Sequence, residues 1–358
     1  MCREELRSDG TFSFPVLATG KEFGVCFRSV DTPPANSSSK NPPCLLPPSP
    51  PCFAPRARGE GPSPQIPAAG LRRKRRSARL GGVGGRAGPP EEQGTMDIQT
   101  VRTEAFEMDC VRFGDGPRPF VILPGLSVQS VLASAEAVAA AYKPFTEDFT
   151  VWLFDPRKDL PPGYAVRDMS RDTAGAMRTL GLADACVFGA SMGGMVAMGI
   201  AAEHPGLVRK LVLASTTARM TAARWRPLEN WIALAKAGKA GDLYLAFGGI
   251  LYPPDVFESL RDAFLQAAKT VTPRELERFV LLAEAARGFD ASAALGHVSC
   301  PTLVVGSRDD LVLGADAAAE IAAGIPGAGL HLYDGCGHAF YDTAPDFGAR
   351  MLEFLLKG

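Results

Sequence analysis

The segment Phe188-Gly189-Ala190-Ser191-Met192-Gly193-Gly194 joins an apolar run, Ala185 to Gly189, to a stretch with helix-forming composition from about Met192 to Glu203. A strand that turns into a helix within so few residues leaves almost no space for side chains beside the turn, and glycines at 189 and 193 meet that demand. The same geometry lifts the Ser191 hydroxyl above the sheet, at the positive end of the helix. A chain built around such a turn needs a largely parallel sheet with helices packed against it.

The surrounding pattern supplies that sheet. Two short strand-like segments lie near 99 to 113, and Phe120-Val121-Ile122-Leu123 is an apolar run stopped by Pro124-Gly125. Ala-rich helical sequence follows to about Tyr142, then the strand Thr150 to Phe154, a helix over roughly 165 to 181, and the strand Ala185 to Gly189. Beyond Ser191 comes the strand Lys210 to Ala214. Residues 220 to 295 then show helical periodicity without a convincing strand, as in Phe257 to Ala268 and Pro273 to Ala286. Alternation resumes with Pro301 to Val305, a helix near 314 to 323, the strand Gly329 to Tyr333 and a last helix from about Pro345 to Leu356. The expected fold is α/β: a mostly parallel central sheet, helices on both faces, and an inserted helical cap. Residues 96–219 and 296–358 form the core, and 220–295 form the cap.

Upstream of Met96 the composition changes. Residues 1–95 hold 15 of the 30 prolines, together with the run Gly81-Gly82-Val83-Gly84-Gly85, which is the composition of a disordered extension. They carry 14 Lys or Arg against 8 Asp or Glu, about +6, leaving 24 against 31, about −7, for the remainder, so the overall charge of −1 conceals two unlike parts. The basic run Arg72 to Arg76 has no interleaved aromatic residues and no folded surroundings, so it is not read as a nucleic-acid patch. Gly82 to Ala87 fits G-x-G-x-x-A, but no strand precedes it. A complete domain can be read from Met96 onward, and the expectation is that the natural protein starts there; the intact mass of the native protein checks it.

An apolar content of 46% is enough for a sizeable core. The eight cysteines form no C-x-x-C pair and have no histidine at ligand spacing, which points away from a structural zinc or a disulfide scaffold and toward a reducing, cytoplasmic setting. No apolar run is long enough to span a membrane, and the N-terminus lacks a secretory signal pattern. No metal, nucleotide or flavin motif is present, so no cofactor is expected. Neither a nucleic-acid nor a membrane partner is expected, and the sequence is silent on oligomeric state.

A serine hydroxyl needs a neighbouring base before it can act as a nucleophile. Among the four histidines, His204 ends a helix, His297 precedes the return to the sheet, and His331 alternates within a strand. His338, in Gly335-Cys336-Gly337-His338-Ala339-Phe340, lies in the loop after the last strand, where a side chain reaches the carboxyl edge of the sheet. The imidazole needs an acid to fix its tautomer. Gly306-Ser307-Arg308-Asp309-Asp310 leaves the strand 301 to 305 at the same edge; Asp309 is the first choice and Asp310 the runner-up. The oxyanion of a tetrahedral intermediate would be met by the backbone N–H of Met192 and, from the loop Leu123 to Ser127, that of Leu126.

Over about residues 105 to 356 the sequence resembles the α/β-hydrolase superfamily, in the branch with a serine nucleophile and a helical cap. The resemblance rests on Gly163-Tyr164, Leu180-Gly181, Val187 to Gly194, His204-Pro205, Leu211 to Leu213, Cys300 to Gly306, Asp309 and Gly337-His338. It implies the fold and a Ser191, Asp309, His338 triad. The chain departs from the family in carrying Pro124-Gly125 where His-Gly is usual, only part of Asp-x-Arg-Gly-x-Gly as Asp155 to Lys158, and Asp310 where proline often follows the acid.

The expected activity is hydrolysis of a small-molecule ester, lactone or related carbonyl substrate. The alternatives are carbon-carbon bond hydrolysis of β-diketone-like substrates, and a non-catalytic ligand-binding member of the fold. Trp225, Trp231, Tyr244, Phe247, Tyr252, Phe257 and Phe264 in the cap are read as cap core rather than as binding residues.

Overall fold

A computed structural model describes residues 96–357. The expectations of a disordered extension and of a start at Met96 concern residues outside this range.

Eight strands form one sheet in the order β1-β2-β4-β3-β5-β6-β7-β8. They are β1 (Ile98–Arg102), β2 (Glu107–Phe113), β3 (Arg118–Leu123), β4 (Phe149–Phe154), β5 (Ala185–Ala190), β6 (Val208–Ala214), β7 (Thr302–Ser307) and β8 (Gly329–Tyr333). Only the β1-β2 and β2-β4 pairings are antiparallel; every later pairing is parallel. Each residue of β5 is buried, as expected of a central strand covered on both faces, and such strands read as unbroken apolar runs rather than alternating ones.

The helices are α1 (Ala135–Ala141), α2 (Val166–Thr179), α3 (Met192–Glu203), α4 (Ala222–Lys236), α5 (Ala240–Leu251), α6 (Pro254–Ala268), α7 (Pro273–Glu284), α8 (Ala317–Gly324), α9 (Phe340–Thr343) and α10 (Phe347–Leu356). On one face of the sheet an aromatic layer including Phe120, Phe145, Phe149, Phe188, Phe340 and Phe347 packs beneath α1, α9 and α10. On the other, α2, α3 and α8 join the insertion in a second core containing Met177, Met195, Met198, Trp231, Phe264 and Phe279.

The whole of α4 to α7 lies between β6 and β7. Local signals account for its boundaries. Thr221 accepts the Arg224 N–H at the start of α4; Thr272 and Glu275 form a reciprocal capping box at α7, whose first residue is Pro273. Arg219 and Asp290 form an antiparallel bridge that pins the two ends of the insertion together.

Two helices differ from expectation. The last helix, expected from about Pro345, begins at Phe347 as α10, and a short helix not expected from the sequence, α9, precedes it and ends where residue 344, which precedes a proline, adopts an extended ψ of 117°. The helix expected from about 314 begins at Ala317, because Gly314 takes a left-handed φ of 86°. Among the described residues no helix is long and apolar enough to cross a membrane.

Candidate active site

Ser191 sits between β5 and α3 with φ 51° and ψ −117°, a conformation that costs about 1–3 kcal/mol and persists only when its surroundings enforce it. The enforcement is steric. A Cβ on Gly189 would lie 2.5 Å from the carbonyl oxygen of Gly193, and one on Gly193 would lie 2.0 Å from that of Leu123. The two glycines therefore let β3, β5 and α3 close on one another. Ser191 is the N-cap residue of α3, and its carbonyl accepts the Gly194 N–H at 3.0 Å.

His338 is buried, with 2% of its surface exposed, and its Nε2 lies 3.0 Å from Ser191 Oγ. Its Nδ1 lies 2.8 Å from Oδ2 of Asp310. An ionised carboxylate only accepts, so Nδ1 carries the proton and Nε2 is left to accept from the serine hydroxyl. The backbone on both sides of His338 is held as well: Ser215 Oγ donates to the His338 carbonyl, and Ala339 N–H donates to Leu251 O at 2.9 Å.

The acid at the imidazole is Asp310, not Asp309, which corrects the first choice made from the sequence. β7 runs on to Ser307, two residues beyond the predicted strand end, so the turn begins later. Asp309 is exposed and accepts from Gly335 N–H in the loop after β8. Asp310 is buried, and its Oδ1 accepts from the N–H groups of Val312 (2.8 Å) and Leu313 (2.9 Å). Burial alone would raise its pKa, but the imidazole of His338 and those two amides outweigh it and hold the carboxyl below its ordinary value.

The other histidines lie elsewhere. His204 follows α3, His297 ends a 3-10 turn and is exposed, and His331 packs edge-on against Tyr333 in β8.

Ser191 and His338 open onto a small cavity of about 40 Å³ walled by Met192, Met195, Leu228, Trp231 and Leu313. Gly125, Leu126, Phe247, Leu251 and Tyr341 line it too, and the same five residues border a larger chamber of about 280 Å³. Trp231 and Phe247, read as cap core, are buried and form cavity wall at the same time. The two residues predicted as oxyanion donors, Met192 and Leu126, both border the small cavity.

Sequence reasoning passed over several residues that hold or shape this site. Arg224 of α4, almost fully buried, donates to Leu313 O (2.7 Å) and Thr217 Oγ1 (2.9 Å) and pairs with Asp316 and Glu320, tying the insertion to the segment behind Asp310. Arg278 of α7 pairs with Asp155 and donates to the carbonyls of Pro156 and Arg157. Asp342 of α9 is buried at the edge of the large chamber and accepts from Tyr252 Oη at 2.8 Å. A lone arginine on an amphipathic helix, or an aspartate beside two aromatics, carries no distinguishing sequence signal.

A mostly parallel sheet whose carboxyl edge presents a hydrogen-bonded serine, aspartate and histidine in that chain order defines an α/β-fold hydrolase enzyme. The sequence matches the alpha/beta hydrolase family over residues 120–350, and the chain belongs to that family. A relative from Caulobacter segnis, the RutD protein designated a carbamate hydrolase, is 31% identical over 237 residues, covering 62% of this chain and 87% of its own. The 2-hydroxy-6-oxononadienedioate/2-hydroxy-6-oxononatrienedioate hydrolase of a Pseudomonas species is 29% identical over 226 residues, covering 54% and 73%. Among solved structures, the enol-lactonase of Burkholderia xenovorans LB400 superimposes with a TM-score of 0.63 at 21% identity, over 72% of this chain and all of that one (100%), a likeness of fold.

Proposed function

We propose that the protein is a serine hydrolase of small-molecule esters or lactones with an uncharged acyl portion, acting through an acyl-enzyme on Ser191. The observation that carries this reading is the unbroken line Ser191 Oγ, His338 Nε2, His338 Nδ1, Asp310 Oδ2, with contacts of 3.0 and 2.8 Å. Ser191 Oγ attacks the substrate carbonyl while its proton passes to His338 Nε2. Asp310 stabilises the imidazolium, and the N–H groups of Met192 and Leu126 receive the oxyanion. His338 then protonates the leaving oxygen, and the same groups activate water to release the acid.

The preference for an uncharged acyl portion comes from the walls. Among the described residues, no Lys or Arg lines either cavity at Ser191. The substrate in the name of the Pseudomonas relative is a dicarboxylate, and a dicarboxylate would enter these walls without a partner for its charge. Carbon-carbon hydrolysis of a β-diketone-like acid is therefore the weaker reading, and a purely ligand-binding role leaves the aligned triad without purpose.

Pre-steady-state hydrolysis of 4-nitrophenyl butanoate tests the proposal. A burst of nitrophenolate equivalent to the enzyme present, absent from Ser191→Ala, is the expected result. No turnover of acetyl, butanoyl or lactone substrates by well-folded protein would overturn it.

A further inference from the structure

The 280 Å³ chamber is far larger than the slot that holds Ser191, and its lining has a distinct chemistry. Among the described residues Asp342 is the one carboxylic acid in its wall, and no Lys or Arg reaches it. Tyr244, Phe247, Tyr252 and Tyr341 supply aromatic side chains around it. Burial dominates the carboxyl's environment and pushes its pKa up to about 7, with only the hydrogen bond from Tyr252 opposing. The titratable groups that sense its charge are phenols: Tyr252 at the end of α5, Tyr142 at the end of α1, and Tyr341 beside it on α9. Among the described residues no cation offsets this carboxylate, a costly arrangement unless a ligand supplies the charge.

We infer that this chamber is a subsite for an ammonium group, held by the Asp342 carboxylate and the surrounding aromatic side chains, so that the preferred substrates are esters whose leaving group is an amino alcohol. Carboxylate plus aromatic rings is the combination that recognises quaternary and protonated amines, because ring faces attract a cation whose large, weakly hydrated surface sheds water at little cost. The chamber has room for a trimethylammonium group, and the five residues it shares with the slot at Ser191 place it next to the reacting centre. The assignment of the leaving group rests on the serine-hydrolase reading, whereas binding of the cation does not.

Isothermal titration of the purified protein with choline and with its neutral isostere 3,3-dimethylbutan-1-ol tests the binding directly. Choline is expected to bind at least about tenfold more tightly, and Asp342→Asn to bring the ratio close to one. Equal or weaker binding of choline by the unsubstituted protein overturns the inference without recourse to a variant. A second measurement compares kcat/KM for butanoylcholine and 3,3-dimethylbutyl butanoate, with a preference of about tenfold or more for the cation expected and lost in Asp342→Asn. Selective choline binding with no hydrolysis of either ester would retain the subsite and sink the hydrolase reading. Hydrolysis of both at equal efficiency, with no selective binding, would do the opposite.

Discussion

Replacing Asp342 with asparagine isolates the consequence of burying one carboxyl against a tyrosine and little else. The side chain is 7% exposed, and burial moves its pKa from 3.8 in the unfolded chain to about 7 in the fold. Between those values the folded protein holds a proton that the unfolded chain has released, so this group's contribution to stability is complete below pH 3.8 and is lost as pH rises toward 7. Across pH 5 to 7 the loss spans two pH units at 1.36 kcal/mol each, about 3 kcal/mol. Asparagine keeps an oxygen to accept from Tyr252 and has no proton to lose, so the difference between the two proteins carries the titration of this one group. Urea unfolding at pH 5 and pH 8 is expected to show the variant gaining about 3 kcal/mol relative to the parent over that interval, or roughly 6–12 °C in Tm. A stability difference that stays constant from pH 5 to 8 would refute the reasoning, since it would mean that Asp342 is either well solvated or matched by a cation.

Asp310→Asn is expected to lower kcat by about 10⁴, because the amide no longer fixes the imidazole tautomer, while Asp309→Asn stays within about threefold, since its exposed side chain touches only Gly335 N–H; steady-state kinetics on one ester checks both. Arg224→Met should cost about 2 kcal/mol in urea unfolding, less than a fully buried pair because the Asp316 and Glu320 carboxylates still reach solvent, yet more than a surface change because Leu313 O loses its donor. Gly193→Ala sets a methyl 2.0 Å from Leu123 O and is expected to destabilise by about 3 kcal/mol or more, seen as a lowered urea midpoint and loss of ester hydrolysis.

The nucleophile was legible because the constraint on it is local. Two glycines at fixed offsets between an apolar run and a helix leave few other conformations for Ser191, and the structure supplies the carbonyls that make those glycines necessary. His338 could be reached by elimination, as only one histidine follows a strand at the carboxyl edge. The aspartate could not. Adjacent residues of a turn face opposite ways, and which of the two faces inward depends on where β7 stops and on whether the N–H groups of Val312 and Leu313 are turned toward the carboxyl, neither of which a single sequence records.

The insertion shows the same divide. Its helices α4 to α7 left a helical periodicity in the sequence, and most of its aromatics are buried, but Trp231 and Phe247 serve as cavity wall as well because the helices close over Ser191. Asp342 and Tyr252, ninety residues apart in sequence, meet only because the end of α5 docks against the His338 loop through Leu251 O and Ala339 N–H. Pairings of that kind belong to the tertiary fold and leave no periodic trace.

Hydrolysis at this site requires Ser191 to be an activated nucleophile. Incubation with a fluorophosphonate probe, followed by intact mass and peptide mapping, measures it without knowledge of the substrate. One adduct per chain on Ser191, absent from Ser191→Ala and strongly slowed in His338→Ala, is the predicted result; an unlabelled, well-folded protein, or an adduct on another residue, would contradict it.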